Sequence, residues 1–280
     1  MTKGIDKYSI DSTDYTVGQD NVQKWGFDVH NPVFGISAGL IALFLIAILV
    51  TDTASAKAAL DGVKWQIINS FDWLFIWSGN IFVVFCLALI VSPFGKIRLG
   101  GNDATADYSF MSWLAMLFAA GMGIGLMFWS VAEPAAYFTG WYETPLGVEP
   151  NTPEAARLAM GATMYHWGLH PWAIYGVVAL SLAFFTYNKG LPLSIRSIFY
   201  PILGDRAWGW AGHLVDILAV LATLFGLATS LGLGAQQAAS GIQHVFGIEA
   251  GLSLQVIVIS VVTLLAVVSV LRGIDGGVKV

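Results

Sequence analysis

Long stretches of this 280-residue chain carry no Asp, Glu, Lys or Arg, and that absence restricts the fold more than any motif does. Such runs cover residues 31–51, 73–95, 108–132, 158–188, 217–248 and 250–271, each reaching the roughly 20 residues a helix needs to cross about 30 Å of hydrocarbon. Inside a bilayer no water can satisfy a free backbone N–H or C=O, and the runs lack the strict alternation of barrel strands, so they read as helices. The expected fold class is all-α: a polytopic helical membrane protein with six spans. Only 11% of the residues are charged, against about 25% in a soluble domain, and the charges collect between the runs.

Several function classes fall away on composition. The net charge is −5 and no basic cluster exists, so no nucleic-acid partner is expected. The single cysteine, Cys86, lies within an apolar run, which leaves neither a disulfide framework nor a thiolate metal site. Ala54-Ser55-Ala56 looks like a signal-peptidase site, yet the 18 uncharged residues Val33 to Val50 exceed the roughly 7 to 15 of a signal core. The first run is therefore read as a retained helix.

Lys and Arg in the loops set the orientation. With the N-terminus inside, one face holds Lys3, Lys7, Lys24, Lys96, Arg98, Lys189, Arg196, Arg206, Arg272 and Lys279, and the other only Lys57, Lys64 and Arg157. This bias places the protein in the cell (inner) membrane with a cytoplasmic tail over residues 1–30. Residues 133–157, with four glutamates and four prolines, read as an ordered acidic outer loop, and Thr152-Pro153 as the cap and first turn of the fourth span. Residues 189–207 read as a short amphipathic piece at the inner surface.

Three places could carry chemistry. Gly121-Met122-Gly123-Ile124-Gly125 in the third span costs about 1 kcal/mol per glycine in a helix interior, so a break is expected there. A broken helix frees backbone groups that can line a solute or ion cavity. Close helix packing through Gly121 and Gly125 is the competing reading. In the fourth span, Tyr165 to Tyr175 holds Pro171 and puts Trp167, Trp172 and Tyr175 on one broad face. Aromatic faces are natural ligands for a quaternary ammonium, which has no N–H to donate. An interfacial aromatic belt would use the same residue types, but Trp167 lies ten residues beyond Arg157, about 15 Å along a helix, which tilts the balance to a site. Hydroxyls and glycines recur over Thr223 to Gly234, and oxygen donors of that kind suit hard cations such as sodium; small residues easing helix approach are the alternative.

Other features carry less. His166 and His170 are four residues apart with no third ligand nearby, so structural roles are expected. Gly35-Ile36-Ser37-Ala38-Gly39 matches a hydrolase pattern but sits in an apolar helix with no strand to form a nucleophile elbow, and no enzyme activity is expected. Asp216, at the inner end of the fifth span, is expected to be solvated or paired.

On three blocks in order, Gly121 to Pro134, Tyr165 to Tyr175 and Phe225 to Gly234, the sequence resembles the betaine/carnitine/choline transporter family. The resemblance implies a partial leucine-transporter-like inverted-repeat fold, with residues 31–107 as two extra N-terminal helices and residues 108–280 as four helices of an incomplete first repeat. It implies a secondary transporter, a symporter for a quaternary-ammonium osmolyte of the glycine betaine type. By the resemblance, Trp167, Trp172, Tyr175, Gly121, Gly123 and Gly125 contact the solute, Ala119 and Met122 give carbonyls to one sodium ion, and Thr223 gives a hydroxyl to another. Leu227 stands where a second hydroxyl is expected, which puts the second sodium in question. Betaine with sodium coupling ranks ahead of a proton-coupled choline or carnitine carrier and of a non-transporting membrane scaffold. A homotrimer in the lipid bilayer is the implied assembly. The chain stops just after the sixth run, so it is read as the front half of a longer protein that would not transport alone.

Overall fold

The computed structural model describes residues 13–121, 123–141 and 143–277, and they are overwhelmingly helical. A two-stranded antiparallel hairpin, β1 (Asn21–Lys24) and β2 (Phe27–His30), leads into α1 (Asn31–Val50) and α2 (Thr53–Val91). Then come α3 (Phe110–Gly121), α4 (Ile124–Thr139), α5 (Pro153–His166) and α6 (Leu169–Ala183). The short turns α7 (Ile195–Ile198) and α8 (Tyr200–Leu203) precede the long α9 (Trp210–Phe246) and α10 (Leu252–Gly277). Among the described residues, five helical stretches are long and apolar enough to cross a membrane: Asn31–Val50, Thr53–Val91, Pro153–Asn188, Trp210–Phe246 and Leu252–Arg272. The third expected span is built from two shorter helices, α3 and α4.

Two compact units make up the chain. One comprises the residues up to Ala104 with His166–Thr223, the other Thr105–Tyr165 with the residues from Leu224 onward.

Within the first unit, α2 packs along α6 through small residues. Gly79 is buried, and a Cβ on it would meet Cδ2 of His170 at 3.4 Å. Farther along, Cys86 Sγ lies 3.6 Å from where a Cβ on Gly176 would stand, and its thiol points at the Ala173 carbonyl, 3.9 Å away. Contact positions rise together along both helices, so α2 and α6 run parallel. Beyond their C-terminal ends the chains are tied again, where Asn188 donates Nδ2–H to Arg98 O (2.9 Å) and accepts Gly100 N–H on Oδ1 (3.0 Å).

The same unit holds a polar platform around Arg196, which is 6% exposed. Its Nε lies 3.1 Å from Asp216 Oδ2, and its backbone N–H donates to Asp216 Oδ1 (3.1 Å). The guanidinium donates to the Tyr15 hydroxyl (3.1 Å) and sits against the Tyr15 and Trp208 rings, themselves stacked 4.4 Å apart. Trp208 Nε1–H donates to Thr13 Oγ1 (2.8 Å). Arg196 Nη1 approaches His213 Nδ1 at 3.4 Å, and the His213 ring lies 5.0 Å from that of His30. Burial, then the Arg196 charge, lowers the His30 pKa below its ordinary value, with Asp20 and Asp216 pulling the other way. Gly212 is obligatory here, because a Cβ would stand 1.8 Å from the Ala207 carbonyl oxygen.

Three expectations need correction. The residues before Trp73 are helical from Thr53, because Lys57, Asp61 and Lys64 fall on one helical face and pair at 2.6 and 3.2 Å. The acidic loop starts later than residue 133, since α4 runs on to Thr139 with Pro134 inside it and Glu133 buried. Residues 189–207 form short turns around a buried Arg196 and not one amphipathic piece, because Asp216 pairs with its charge.

Candidate functional site

The glycine run breaks the third span as its composition demands. α3 ends at Gly121, and α4 starts at Ile124 from Gly123, whose extended backbone (φ −63°, ψ 166°) caps it. The first backbone bond of α4 runs from Met127 N–H to Gly123 O at 3.2 Å, so the amides ahead of Met127 have no partner within the helix. At the other side of the break, the last turn of α3 contains Ala119, and the carbonyls of a last turn have no partner within their own helix. An electropositive helix start thus follows an electronegative helix end within a few residues. Met122 lies outside the described residues. Gly121, Gly123 and Gly125 all lie at this break.

A second break, not foreseen from the sequence, separates α5 from α6. α5 stops at His166, and Gly168 (φ −79°, ψ −129°) restarts the helix at Leu169. Trp167 therefore stands in the break and not on a continuous face with Trp172 and Tyr175. Pro171 falls in the first turn of α6, where its missing N–H does no harm to the helix, but it leaves the Trp167 carbonyl without its usual partner four residues on. The indole Nε1–H of Trp172 fills that gap at 3.2 Å. Trp172 and Tyr175 follow one turn apart, ring centroids 5.9 Å from each other and planes 34° apart. With the indole N–H spent on the backbone, these two residues present ring faces, and they are 47% and 70% exposed.

The histidine pair resolves into separate roles. His166 ends α5, with its ring 5.7 Å from that of Trp167, while His170 Nε2 bonds Asn80 Oδ1 on α2 at 3.0 Å. No cluster of three His, Cys, Asp or Glu suited to a metal occurs among the described residues. Ser37 lies inside the unbroken α1, so no strand-to-helix elbow presents it. Thr223, in α9, donates its hydroxyl hydrogen to Ala219 O (2.8 Å), which leaves its oxygen lone pairs available. Leu227, one turn on, is exposed and offers no oxygen.

Asn80 carries no sequence signal of a site. A lone amide in an apolar run reads as helix packing, and its partner is 90 residues away.

The chain is similar to known proteins along most of its length. Residues 32–280 match the model of the betaine/carnitine/choline family of transporters. A glycine betaine transporter of Vibrio parahaemolyticus is 88% identical over 280 residues, covering 100% of this chain and 54% of the relative. A glycine betaine/proline/choline/ectoine transporter of the same organism is 66% identical over 279 residues, covering 100% of this chain and 50% of the relative. The high-affinity choline transport protein of Escherichia coli is 40% identical over 254 residues, covering 90% of this chain and 37% of the relative. The chain thus spans about half the length, or less, of these relatives.

Proposed function

Because the chain belongs to the betaine/carnitine/choline family of transporters, multi-pass membrane proteins and not enzymes, we propose that it serves ion-coupled uptake of a trimethylammonium solute, glycine betaine first. One observation carries this reading: Trp172 and Tyr175 stand 5.9 Å apart with ring faces exposed while the Trp172 N–H is bonded to Trp167 O. A permanently charged headgroup with no N–H needs π faces and not donors, each worth roughly 0.5 to 2 kcal/mol. The names of the relatives, glycine betaine and choline transporters, run along the same chemical class.

The break between α3 and α4 supports the other half of the reading. The helix start at Ile124 suits an anionic group, and the carbonyls of the last turn of α3, Ala119 among them, suit sodium, a hard cation that takes oxygen ligands. Thr223 would offer a hydroxyl oxygen to a second sodium. Its neighbour Leu227 supplies none, so one sodium per betaine is the favoured stoichiometry. Residues 31–107 then act as two helices ahead of a first repeat, the tail lies in the cytoplasm, and the working protein includes the sequence its relatives carry beyond this length.

Uptake of radiolabelled glycine betaine by the complete protein in proteoliposomes tests this. An inward sodium gradient is expected to drive accumulation, and Trp172→Ala to raise KM. Accumulation indifferent to both changes would sink the proposal.

A further inference from the structure

We infer that Asn80 on α2 is a positioning residue for the aromatic face of α6, acting through His170; the inference rests on the solute-binding role proposed for Trp172 and Tyr175.

The argument begins at the second helix break. A helix that continues from a preceding turn inherits its direction from it, but α6 restarts at Leu169 after the non-helical Gly168. Pro171 also removes a backbone donor from that first turn. The backbone behind α6 therefore does not fix where its first turn points, and a lateral contact has to. His170 is the second residue of that turn, and its Nε2–H donates to Asn80 Oδ1 at 3.0 Å. Gly79, the neighbour of Asn80, leaves the ring room, since a methyl there would already stand in contact with His170 Cδ2 at 3.4 Å.

Successive residues turn about 100° around a helix axis. His170, Ala173 and Gly176, the residues that meet α2, therefore share one side of α6. Trp172 and Tyr175 stand away from it by about 100° and 160° relative to Ala173, the middle of that side. Burial agrees, with Ala173 at 7% exposure on the α2 side and both rings open on the other. α2 backs the turn that presents the rings. Cys86 and Gly176 hold the next two turns by contact of small groups, while Asn80 and His170 make a directional bond. In a bilayer the loss of either partner leaves an imidazole or amide with no water to replace it.

Betaine transport by the complete protein in proteoliposomes, with amounts of inserted protein measured, separates positioning from simple structural support. Asn80→Leu keeps the volume and removes the acceptor, and it is expected to raise KM roughly three- to tenfold with kcat changed less than twofold. His170→Leu is expected to do the same. His170→Gln, whose amide N–H can still reach Asn80, is expected to stay within twofold of the unmodified protein. Combined with Asn80→Leu it is expected to add nothing, which keeps the test decisive if His170→Leu fails to insert. A KM for Asn80→Leu within twofold of normal, beside a clearly raised KM for Trp172→Ala, overturns the inference and leaves the aromatic reading standing. Equal loss in His170→Gln and His170→Leu also overturns it. An unchanged KM in Trp172→Ala overturns the aromatic reading itself, and this inference with it.

Discussion

The aromatic face of α6 and the platform around Arg196 lie in one unit and use the same residue types, indole, phenol and imidazole, to opposite ends. On the platform the ring faces are used within the chain: Tyr15 stacks on Trp208, both flank the guanidinium, and Asp216 answers its charge. On α6 the polar atom of Trp172 is satisfied within its own helix break, and the faces are left open. Covered ring faces mark a region that holds the chain together; a satisfied edge with an open face suits the ligand proposed above. The two should therefore answer differently to substitution, the platform in stability and the α6 face in affinity.

The largest effect is expected from Arg196→Ala, which strands the Asp216 carboxylate and unpins Tyr15. Loss of one partner of a buried pair costs about 3–5 kcal/mol, read as a drop in melting temperature of the detergent-solubilised protein. Gly212→Ala should follow, because its methyl would meet the Ala207 carbonyl oxygen at 1.8 Å and forced overpacking costs about 1–3 kcal/mol. Trp172→Ala should leave the melting temperature near normal and weaken betaine binding by roughly three- to thirtyfold, on a cation–π contact of up to about 2 kcal/mol. A clear fall in melting temperature for Trp172→Ala, or none for Arg196→Ala, would erase the contrast.

Acid should sharpen it. His30 has its pKa lowered in the folded chain, by burial first and then by Arg196. An unfolded chain thus takes up the proton first as pH falls below the ordinary histidine value, about 6.5. Stability of the hairpin and tail is full above that value and is lost as pH falls through the lowered one. Hydrogen exchange of residues 13–30 should quicken between pH 7.5 and 5.5, after correction for intrinsic rates, and His30→Gln should reduce the change. The smallest effect belongs to Asp61→Asn, whose partners Lys57 and Lys64 are exposed side chains. No measurable shift in melting is expected there.

Much of this architecture was readable in advance. α1 occupies Asn31–Val50 against an expected run of 31–51, because an uncharged stretch of one membrane thickness leaves a helix no alternative. The Gly121 to Gly125 break was readable for the same kind of reason, a local excess of the residue least suited to a helix. The break at Trp167 and Gly168 was not, since one glycine beside a proline in a row of aromatics reads as a kink in a continuous span. Charge misled over residues 53–72, where Lys57, Asp61 and Lys64 read as a loop, although their spacing of four and three is a helical face. Arg196 with Asp216 and Asn80 with His170 are separated by 20 and 90 residues, and no periodicity reports a partner at that distance. The residues proposed to face the solute were legible as types, but the helix that backs them was not.

The tie between Asn188 and the Arg98–Gly100 segment has a counting consequence. It brings the exits of α2 and α6 to the same membrane surface, so the chain between them makes an even number of passages.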